Sequence, residues 1–514
     1  MINIICNAAE CYIENNVTAN LLDKNIYTEI ENKLSYVDKN KAYIKMSNRD
    51  ARWSDNIQTS ISLYNKEERN FPSGLLDLVV KVLKYYTVSY KITDNVTYSL
   101  EKVSKDIVIP EWAYSHQFEL IDACIKGKRG ILMSPTGSGK SKTLAWLLHQ
   151  FKNVKGLIVV PRVNLCQQLY EELKETLPQF NIGQLNNEYK TFDIDTDILV
   201  AVDKSAAMLV KSNPTVFNDI NFLAYDEAQK ALNETFKTIL YSCVNAEYKL
   251  GFSATPVISL LSKAYFGDLQ LKIQENRLID EKIIVEPTFI SYKVVTPNFK
   301  YPFIESKQDE QVLYVDDNGR PTFNNKPPYI SVYTQAVALN KLRNQTIVDI
   351  SKYLLDLPSR KGPIIVFIEW QDIHGTELVE VYKQNNINIT FLNGLTSNKE
   401  RERIIKDLRE ERIDIVLATN VVAEGTNIVN LEFAIIADGK KTGGALIQKV
   451  GRIVRTDDAN NKTRCVAIDI SDTDKFYLSN AANSRQEAFK ERYGDKKIYT
   501  ATNLIELNTV LKSI

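Results

Sequence analysis

Eight consecutive residues, Ser134-Pro-Thr-Gly-Ser-Gly-Lys140-Ser141, have the composition of a loop that wraps phosphate. Glycines at 137 and 139 let backbone N–H groups curl around phosphate oxygens, and the start of a following helix adds partial positive charge. Lys140 is placed to reach the β- and γ-phosphates of a nucleotide and Ser141 to ligate Mg²⁺, with Thr136 and Ser138 completing the cradle. Position 134 is Ser where the simplest form of the pattern has Gly. Asp226-Glu227-Ala228-Gln229 supplies the other half of the chemistry. An Asp at the carboxyl end of a parallel strand is able to hold Mg²⁺, usually through water, and an adjacent Glu orients or deprotonates the attacking water. Alone, such a pair is ordinarily a solvated turn; downstream of a phosphate loop it reads as the hydrolytic half of an ATPase. A third group is Gln448-Lys-Val-Gly-Arg452-Ile-Val-Arg455. Two arginines three apart share one face of a helix, from which both can stabilise charge on a transferring phosphoryl. The competing reading is an amphipathic helix with solvated charges, Gly451 marking a close helix crossing. Lys140, Asp226, Glu227, Arg452 and Arg455 are thus the expected catalytic set, and Ser141, Asp226 and Glu227 the expected metal set, with ATP and Mg²⁺ as cofactors.

These residues need a scaffold, and the surrounding sequence describes one. From about 105, short apolar runs alternate with amphipathic stretches: GILMS at 130–134, GLIVVP at 156–161, DILVAV at 197–202, FLAYDE at 222–227 and KLGFSAT at 249–255. Near-continuous apolar strands with helices between them predict a parallel sheet covered on both faces. Residues 291–340 break the rhythm, with Pro297, Pro302, Pro321, Pro327 and Pro328 among polar residues, and read as a linker or surface excursion. A second alternation covers 341–514, with strands at 363–369, 388–394, 414–419, 433–438 and 465–470. Residues 1–100 mix short alternating runs with one helical stretch, GLLDLVVKVLKYY at 74–86, and read as a small α+β domain. The expected architecture is α/β: two tandem RecA-like parallel-sheet domains, at 105–290 and 341–514, behind the small N-terminal domain.

The chain has 514 residues, with 64 Lys+Arg against 64 Asp+Glu, so any nucleic-acid contact must come from local surfaces, not the overall field. No apolar run approaches the roughly 18 residues a membrane span needs, and the N-terminus lacks the basic region of a secretion signal. The six cysteines never form a CxxC pair and there are three histidines, so the expectation is free thiols in a cytoplasm and no Cys/His metal site.

The motifs, in this order, resemble those of the superfamily 2 helicases and translocases, most closely the UvsW-type branch-migration helicases of bacteriophages. The resemblance covers about 105–290 and 340–475. It implies that Gln117, in EWAYSHQFEL, reads the adenine edge, with Trp112 or Tyr114 available for stacking. It implies that Pro161, Arg162 and Gln168 (VVPRVNLCQQ), Lys204 and Ser205 (AVDKSAA) and Thr419 lie along nucleic-acid backbone. Ser253-Ala254-Thr255 couples the two sites, with Gln448 grouped alongside; Glu424, Gly425 and Asn427 in ATNVVAEGTNI fall in a motif touching both DNA and ATP. IIVFIE at 364–369, FLNG at 391–394 and DIHG at 372–375 match middle motifs. Two departures are DEAQ for the commoner DEAH, and Asn427 where many relatives have Asp. The run RWSDNIQTSISLYNKEERNFPSGLLDLVVKVL at 52–83 resembles a segment of the phage enzymes that engages DNA, making Arg49, Arg52, Trp53, Lys66 and Arg69 candidate contacts; the alternative is that Trp53 and Tyr64 are simply core. Residues 1–100 hold 12 Lys+Arg and 12 Asp+Glu, which gives no basic footprint. SRQEAFKERY at 484–493 reads as packing.

The resemblance implies an ATP-dependent DNA helicase or translocase acting on single-stranded, duplex or branched DNA mainly through its backbone. It implies no membrane, no obligate protein partner, and the host cytoplasm if the source is a phage. An RNA helicase or RNA-remodelling ATPase, an ATP-switched binding or annealing protein, and a restriction-type translocase are the alternatives.

Overall fold

A computed structural model describes residues 2–14, 24–38, 59–193, 195–295, 303–305, 312–314, 327–419, 430–440, 443–456, 462–472 and 477–514. They divide into two compact units, the first comprising 1–135 and 139–273, the second 136–138 and 274–514. Among the described residues no helix is long and apolar enough to cross a membrane.

The first unit holds two sheets. The smaller contains β1 (Ile2–Cys6), β2 (Glu10–Ile13), β3 (Asn70–Pro72) and β4 (Tyr90–Asp94) in the order β3-β2-β1-β4, with helix α1 (Leu76–Tyr85) following β3. The larger is built from β5 (Arg129–Met133), β6 (Gly156–Val160), β7 (Ile182–Leu185), β8 (Lys190–Thr191), β9 (Ile198–Val202), β10 (Phe222–Asp226), β11 (Tyr248–Ser253) and β12 (Leu269–Lys272). Its order is β8-β7-β9-β6-β10-β11-β5-β12, and every pairing except β7–β8 is parallel. β6 and β9 are buried at all five positions, the consequence of helices on both faces. One apolar core joins the two sheets: Ile2, Ile4, Phe71 and Leu83 belong to the same cluster as Leu157, Val159, Tyr225 and Phe236.

The join is tight at Ser73 and Gly74. Ser73 Oγ donates to the Ala8 carbonyl at 2.6 Å and accepts from Arg129 Nη2 at 3.0 Å. A Cβ on Gly74 would lie 2.2 Å from the Lys263 carbonyl oxygen and 2.6 Å from that of Ala264, both in helix α6 (Leu260–Phe266). The FPSGLL segment is therefore the seam between the small sheet and the large one.

The second unit contains β13 (Pro287–Val294), β14 (Ile364–Ile368), β15 (Thr390–Leu392), β16 (Ile415–Thr419), β17 (Phe433–Ile436), β18 (Cys465–Asp472) and β19 (Ile498–Ala501), all parallel, in the order β15-β16-β14-β17-β18-β13-β19.

Three expectations are corrected here. The first sheet domain does not extend to 290, because β13 pairs with β18 along all eight residues and so belongs to the second sheet. The stretch 291–340 is not wholly a linker: Val332, Tyr333, Ala336 and Val337 are buried against Leu478. Nor are all six cysteines free. Cys6 and Cys11 face each other across the β1–β2 hairpin with Cα atoms 4.0 Å apart and form a disulfide. A tight hairpin brings residues five apart into direct opposition without any CxxC spacing. Cys124, Cys166, Cys243 and Cys465 are buried thiols.

Replacing Gly74 with Ala should destabilise the first unit by about 1–3 kcal/mol, since the new methyl meets backbone that cannot swing away. An unchanged melting temperature in thermal denaturation would show that the seam yields.

Candidate nucleotide site and strand-end motifs

The phosphate-type loop leaves the carboxyl end of β5 and opens helix α2's neighbour in the chain, α3 (Lys140–His149); α2 itself is Ser115–Gly127. Gly137 and Gly139 have φ of 87° and 76°, the left-handed region that glycine enters without a Cβ penalty. Lys140 Nζ donates to the carbonyls of Ser134 and Pro135, 3.1 Å each, so its ammonium lies over the loop. Ser141 sits half-buried in the first turn of α3, Thr136 is half-buried and Ser138 buried. Gln117 is buried under the loop: its Nε2 donates to the Gly139 carbonyl at 3.4 Å and its Oε1 accepts from the Tyr114 backbone at 3.0 Å. Trp112 is exposed, edge-on to Trp146, with Lys142 over its ring; Tyr114 stacks on His116.

Asp226 ends β10, two strands from β5. Burial first, and then the Glu227 charge, push its carboxyl up to about 6, against the pull of Lys140. A carboxylate so disfavoured gains from a nearby cation. Among the described residues no three His, Cys, Asp or Glu gather into a metal cluster. A divalent ion here would therefore rest on Asp226, Ser141 and the nucleotide's own oxygens, which fits Mg²⁺ and its preference for few protein ligands.

Glu227 itself has φ 66°. Its Oε2 accepts from Gln229 Nε2 at 2.5 Å, and Gln229 Oε1 accepts from Ser253 Oγ at 2.5 Å. The glutamine of DEAQ thus bridges the acidic pair to the SAT segment at the end of β11, where Ser253 Oγ also accepts from the Thr255 backbone at 3.0 Å. The carboxyl ends of neighbouring strands carry the other segments. Pro161 and Arg162 follow β6, Arg162 being the N-cap of α4 (Val163–Thr176), on which Gln168 is half-buried. Lys204 and Ser205 begin α5 (Asp203–Ser212) after β9; Lys204 is exposed and Ser205 Oγ donates to Asn187 at 3.3 Å. Asp203, which the sequence did not single out, is buried, accepting from Tyr225 Oη at 3.1 Å and from the Lys204 backbone at 2.6 Å. That links this segment to the residue before Asp226.

In the second unit, Gln448 and Arg452 are half-buried on α7 (Gly443–Ile453). Arg455 is not on that helix, as the spacing had suggested. The chain leaves the helix after Ile453, the Val454 carbonyl accepts from the Val285 backbone at 2.7 Å, and Arg455 bridges to Ile284. Thr419 ends β16 with its Oγ1 buried and without a hydrogen-bond partner among the described residues. Glu424, Gly425, Asn427, Arg49, Arg52 and Trp53 lie outside the described residues. Lys66 pairs with Glu31 at 2.7 Å, Arg69 lies over the Tyr27 ring, and Tyr64 is core.

Three buried ion pairs brace this end of the second sheet: Lys449–Asp438, Arg343–Asp472 (2.7 and 3.1 Å) and Arg485–Asp469 (2.6 and 3.0 Å). Arg343 also donates to the Ala437 carbonyl and Arg485 to that of Lys440, so the segment after β17 is held from two sides. Arg485, expected only to pack, thus carries a buried charge. His374 of DIHG is buried beside Tyr333, 3.5 Å from its hydroxyl, and burial with Arg343 nearby holds its pKa well below the ordinary histidine range.

Gln229→Leu should lower ATP hydrolysis about tenfold, the equivalent of roughly 1.4 kcal/mol, while leaving nucleotide affinity near wild type. Single-turnover rates and titration with a fluorescent analogue separate the two, and an unchanged rate would show that the bridge is incidental. Arg485→Met should cost about 3–5 kcal/mol by stranding Asp469, with much of that recovered in Arg485→Met/Asp469→Leu; urea denaturation reads both.

Comparison with known proteins gives a consistent setting. Residues 114–262 match the DEAD/DEAH box helicase family and residues 346–457 the helicase conserved C-terminal domain, together about half of the chain. The putative ATP-dependent helicase IRC3 of Saccharomyces cerevisiae is 25% identical over 403 residues, covering 73% of this chain and 54% of its own length. The DNA 3'-5' translocase XPB2 of Sulfurisphaera tokodaii is 23% identical over 355 residues, 67% of this chain and 78% of its own. The structure of S. cerevisiae Dbp5 bound to RNA and ADP BeF3 aligns over 78% of this chain and 93% of its own, with a TM-score of 0.54 and 15% identity, a likeness of fold. The chain spans about half the length of IRC3. Both halves of a helicase core are represented in the family order, and the chain belongs to the superfamily 2 helicases.

Proposed function

We propose that the protein is an ATP-dependent DNA helicase or translocase that remodels branched DNA such as forks, Holliday junctions or R-loops. The observation that carries the ATPase half is the group formed at the strand ends by Lys140, Asp226, Glu227 and the Gln229 bridge to Ser253. Lys140 and the loop amides hold the triphosphate, and Glu227 orients the attacking water. Arg452 and Arg455 are assigned to the charge that develops on the phosphoryl, and Gly425 and Asn427 to the nucleotide. Bound Mg²⁺ supplies charge neutralisation between the phosphates. Pro161, Arg162, Gln168, Lys204, Ser205 and Thr419 are assigned to the nucleic-acid backbone, with Arg52 and Trp53 as further contacts. Contacts of that kind position the strand and carry little sequence information.

DNA is favoured over RNA by the likeness of residues 52–83 to the segment that precedes the motor in phage DNA helicases. The translocase XPB2, named for DNA, supports it, whereas Dbp5, solved with RNA, keeps an RNA-remodelling ATPase as the second reading. Steady-state ATP hydrolysis without nucleic acid, with single-stranded DNA, with single-stranded RNA and with a four-way junction decides between them. Strong stimulation by DNA, highest with the junction and absent in Lys140→Ala, is expected. Stimulation by RNA alone would move the protein to the second reading.

A further inference from the structure

The seam between the small and large sheets borders an open pocket of about 220 Å³ at the end of the large sheet opposite the phosphate loop. β5 runs from Arg129 to the loop and β11 from Tyr248 to Ser253, so Arg129 and Lys249 mark the amino ends of two adjacent parallel strands. Four residues of strand separate them from the loop end, roughly 13 Å.

The electrostatics of this pocket are unusual for a structural seam. Arg129 and Lys249 are register partners, two like charges directly opposite on neighbouring strands. That arrangement is destabilising on its own account. Lys249 is buried, with 4% of its surface exposed, and Arg129 is half-buried with its Nε fully covered. Neither has a carboxylate within ion-pair distance among the described residues. Instead both converge on one neutral oxygen, Ser73 Oγ, at 3.0 and 3.2 Å, and that hydroxyl donates its proton to the Ala8 carbonyl. Arg129 Nε has no partner among the described residues, and Lys249 Nζ makes only the one bond there, leaving two ammonium protons over. Lys128 adds a third cation at the wall, its ammonium over the Tyr98 ring at 4.6 Å. The two carboxylates that also line the pocket are turned to other donors: Glu247 accepts from the backbones of Ser99 and Leu100, and Asp94 from Val96 N–H and the Tyr98 hydroxyl.

Holding two cations side by side in a largely covered site, with no carboxylate in ion-pair contact, is costly unless a counter-charge sits beside them. A guanidinium edge with a free Nε and an ammonium with free protons is the donor set that suits a tetrahedral oxyanion. Burial, and Arg129 beside it, hold the Lys249 pKa well below its ordinary value, a shift that a neighbouring anion would oppose. Pro161, Arg162, Lys204 and Ser205, assigned above to nucleic acid, lie at the opposite, carboxyl ends of the strands of this sheet.

We infer that Arg129, Lys249 and Ser73 form a binding site for a small phosphate-bearing anion, distinct from the nucleotide loop, that clamps the small sheet onto the large one. The occupant is inorganic phosphate or the phosphate of a small monoester; both offer the same oxyanion, and the site is independent of which polymer the enzyme acts on.

The test is isothermal titration of the full chain with inorganic phosphate and, separately, glycerol 3-phosphate, the loop being saturated with a non-hydrolysable ATP analogue and ionic strength held with chloride. One site per chain is expected for at least one of the two, identifying the source. Binding should persist in Lys140→Ala and weaken at least tenfold in Lys249→Met and in Arg129→Gln, the second variant serving if the first does not fold. Absence of binding by both anions in the analogue-saturated protein overturns the proposal. So does binding that is lost in Lys140→Ala but unchanged in the seam variants.

Discussion

A strand hydrogen-bonded on both sides and covered on both faces presents nothing to solvent except where it stops. β6, β9, β10 and β11 of the first unit are in that condition, and their side chains are committed to core almost to the last residue. Polar chemistry is therefore confined to the turns just past the carboxyl ends, where the parallel arrangement brings several turns to one edge. The phosphate loop after β5, Arg162 after β6, Asp203 after β9, Asp226 at the end of β10 and Ser253 at the end of β11 all follow from this single restriction. The same restriction leaves the amino ends free for a different purpose, and there the small sheet docks through Ser73 and Gly74.

Short hydrogen bonds connect these turns into one unit of chemistry. Gln229 joins Glu227 to Ser253, and Tyr225 joins the strand carrying Asp226 to Asp203 at the start of α5. The segment carrying Lys204 and Ser205 is thereby in direct hydrogen-bonded contact with the residue next to Asp226. In the second unit the corresponding strand ends are fixed differently, by the ion pairs of Lys449, Arg343 and Arg485. Buried pairs of this kind add little net stability, but loss of one partner strands the other charge and is strongly destabilising.

What the sequence makes legible is whatever is local. The apolar runs at 156–160, 198–202 and 222–226 are continuous because both faces are buried, so they read as strands at once. The loop at 134–141 and the acidic pair are legible because their chemistry depends on residues adjacent in the chain. What escapes is non-local or short. β7 and β12 have four residues each, and β13 is apolar but its partner, β18, lies 178 residues away, so nothing in its own composition assigns it to the second sheet. The Arg343–Asp472 pair, the Gln229–Ser253 bond and the contact of Gly74 with α6 are likewise products of the completed fold. Arg455 departs from the helical expectation for a related reason: periodicity predicts a face shared with Arg452, but the helix ends at Ile453 and Arg455 instead bridges to Ile284. Cys6 and Cys11 needed the hairpin register before their pairing had meaning.

If the strand-end group binds nucleotide and the neighbouring segments bind nucleic acid, as proposed, the two are expected to be energetically one system. The most direct measurement is the affinity of Glu227→Gln, expected to hold ATP without turning it over, for a fluorescent single-stranded DNA with and without saturating ATP. Linkage requires that coupled sites alter each other's affinity by the same factor. A change of about tenfold or more in DNA affinity on adding ATP, with the reciprocal change in ATP affinity on adding DNA, is the predicted result. Identical DNA affinity in the two conditions would contradict the account.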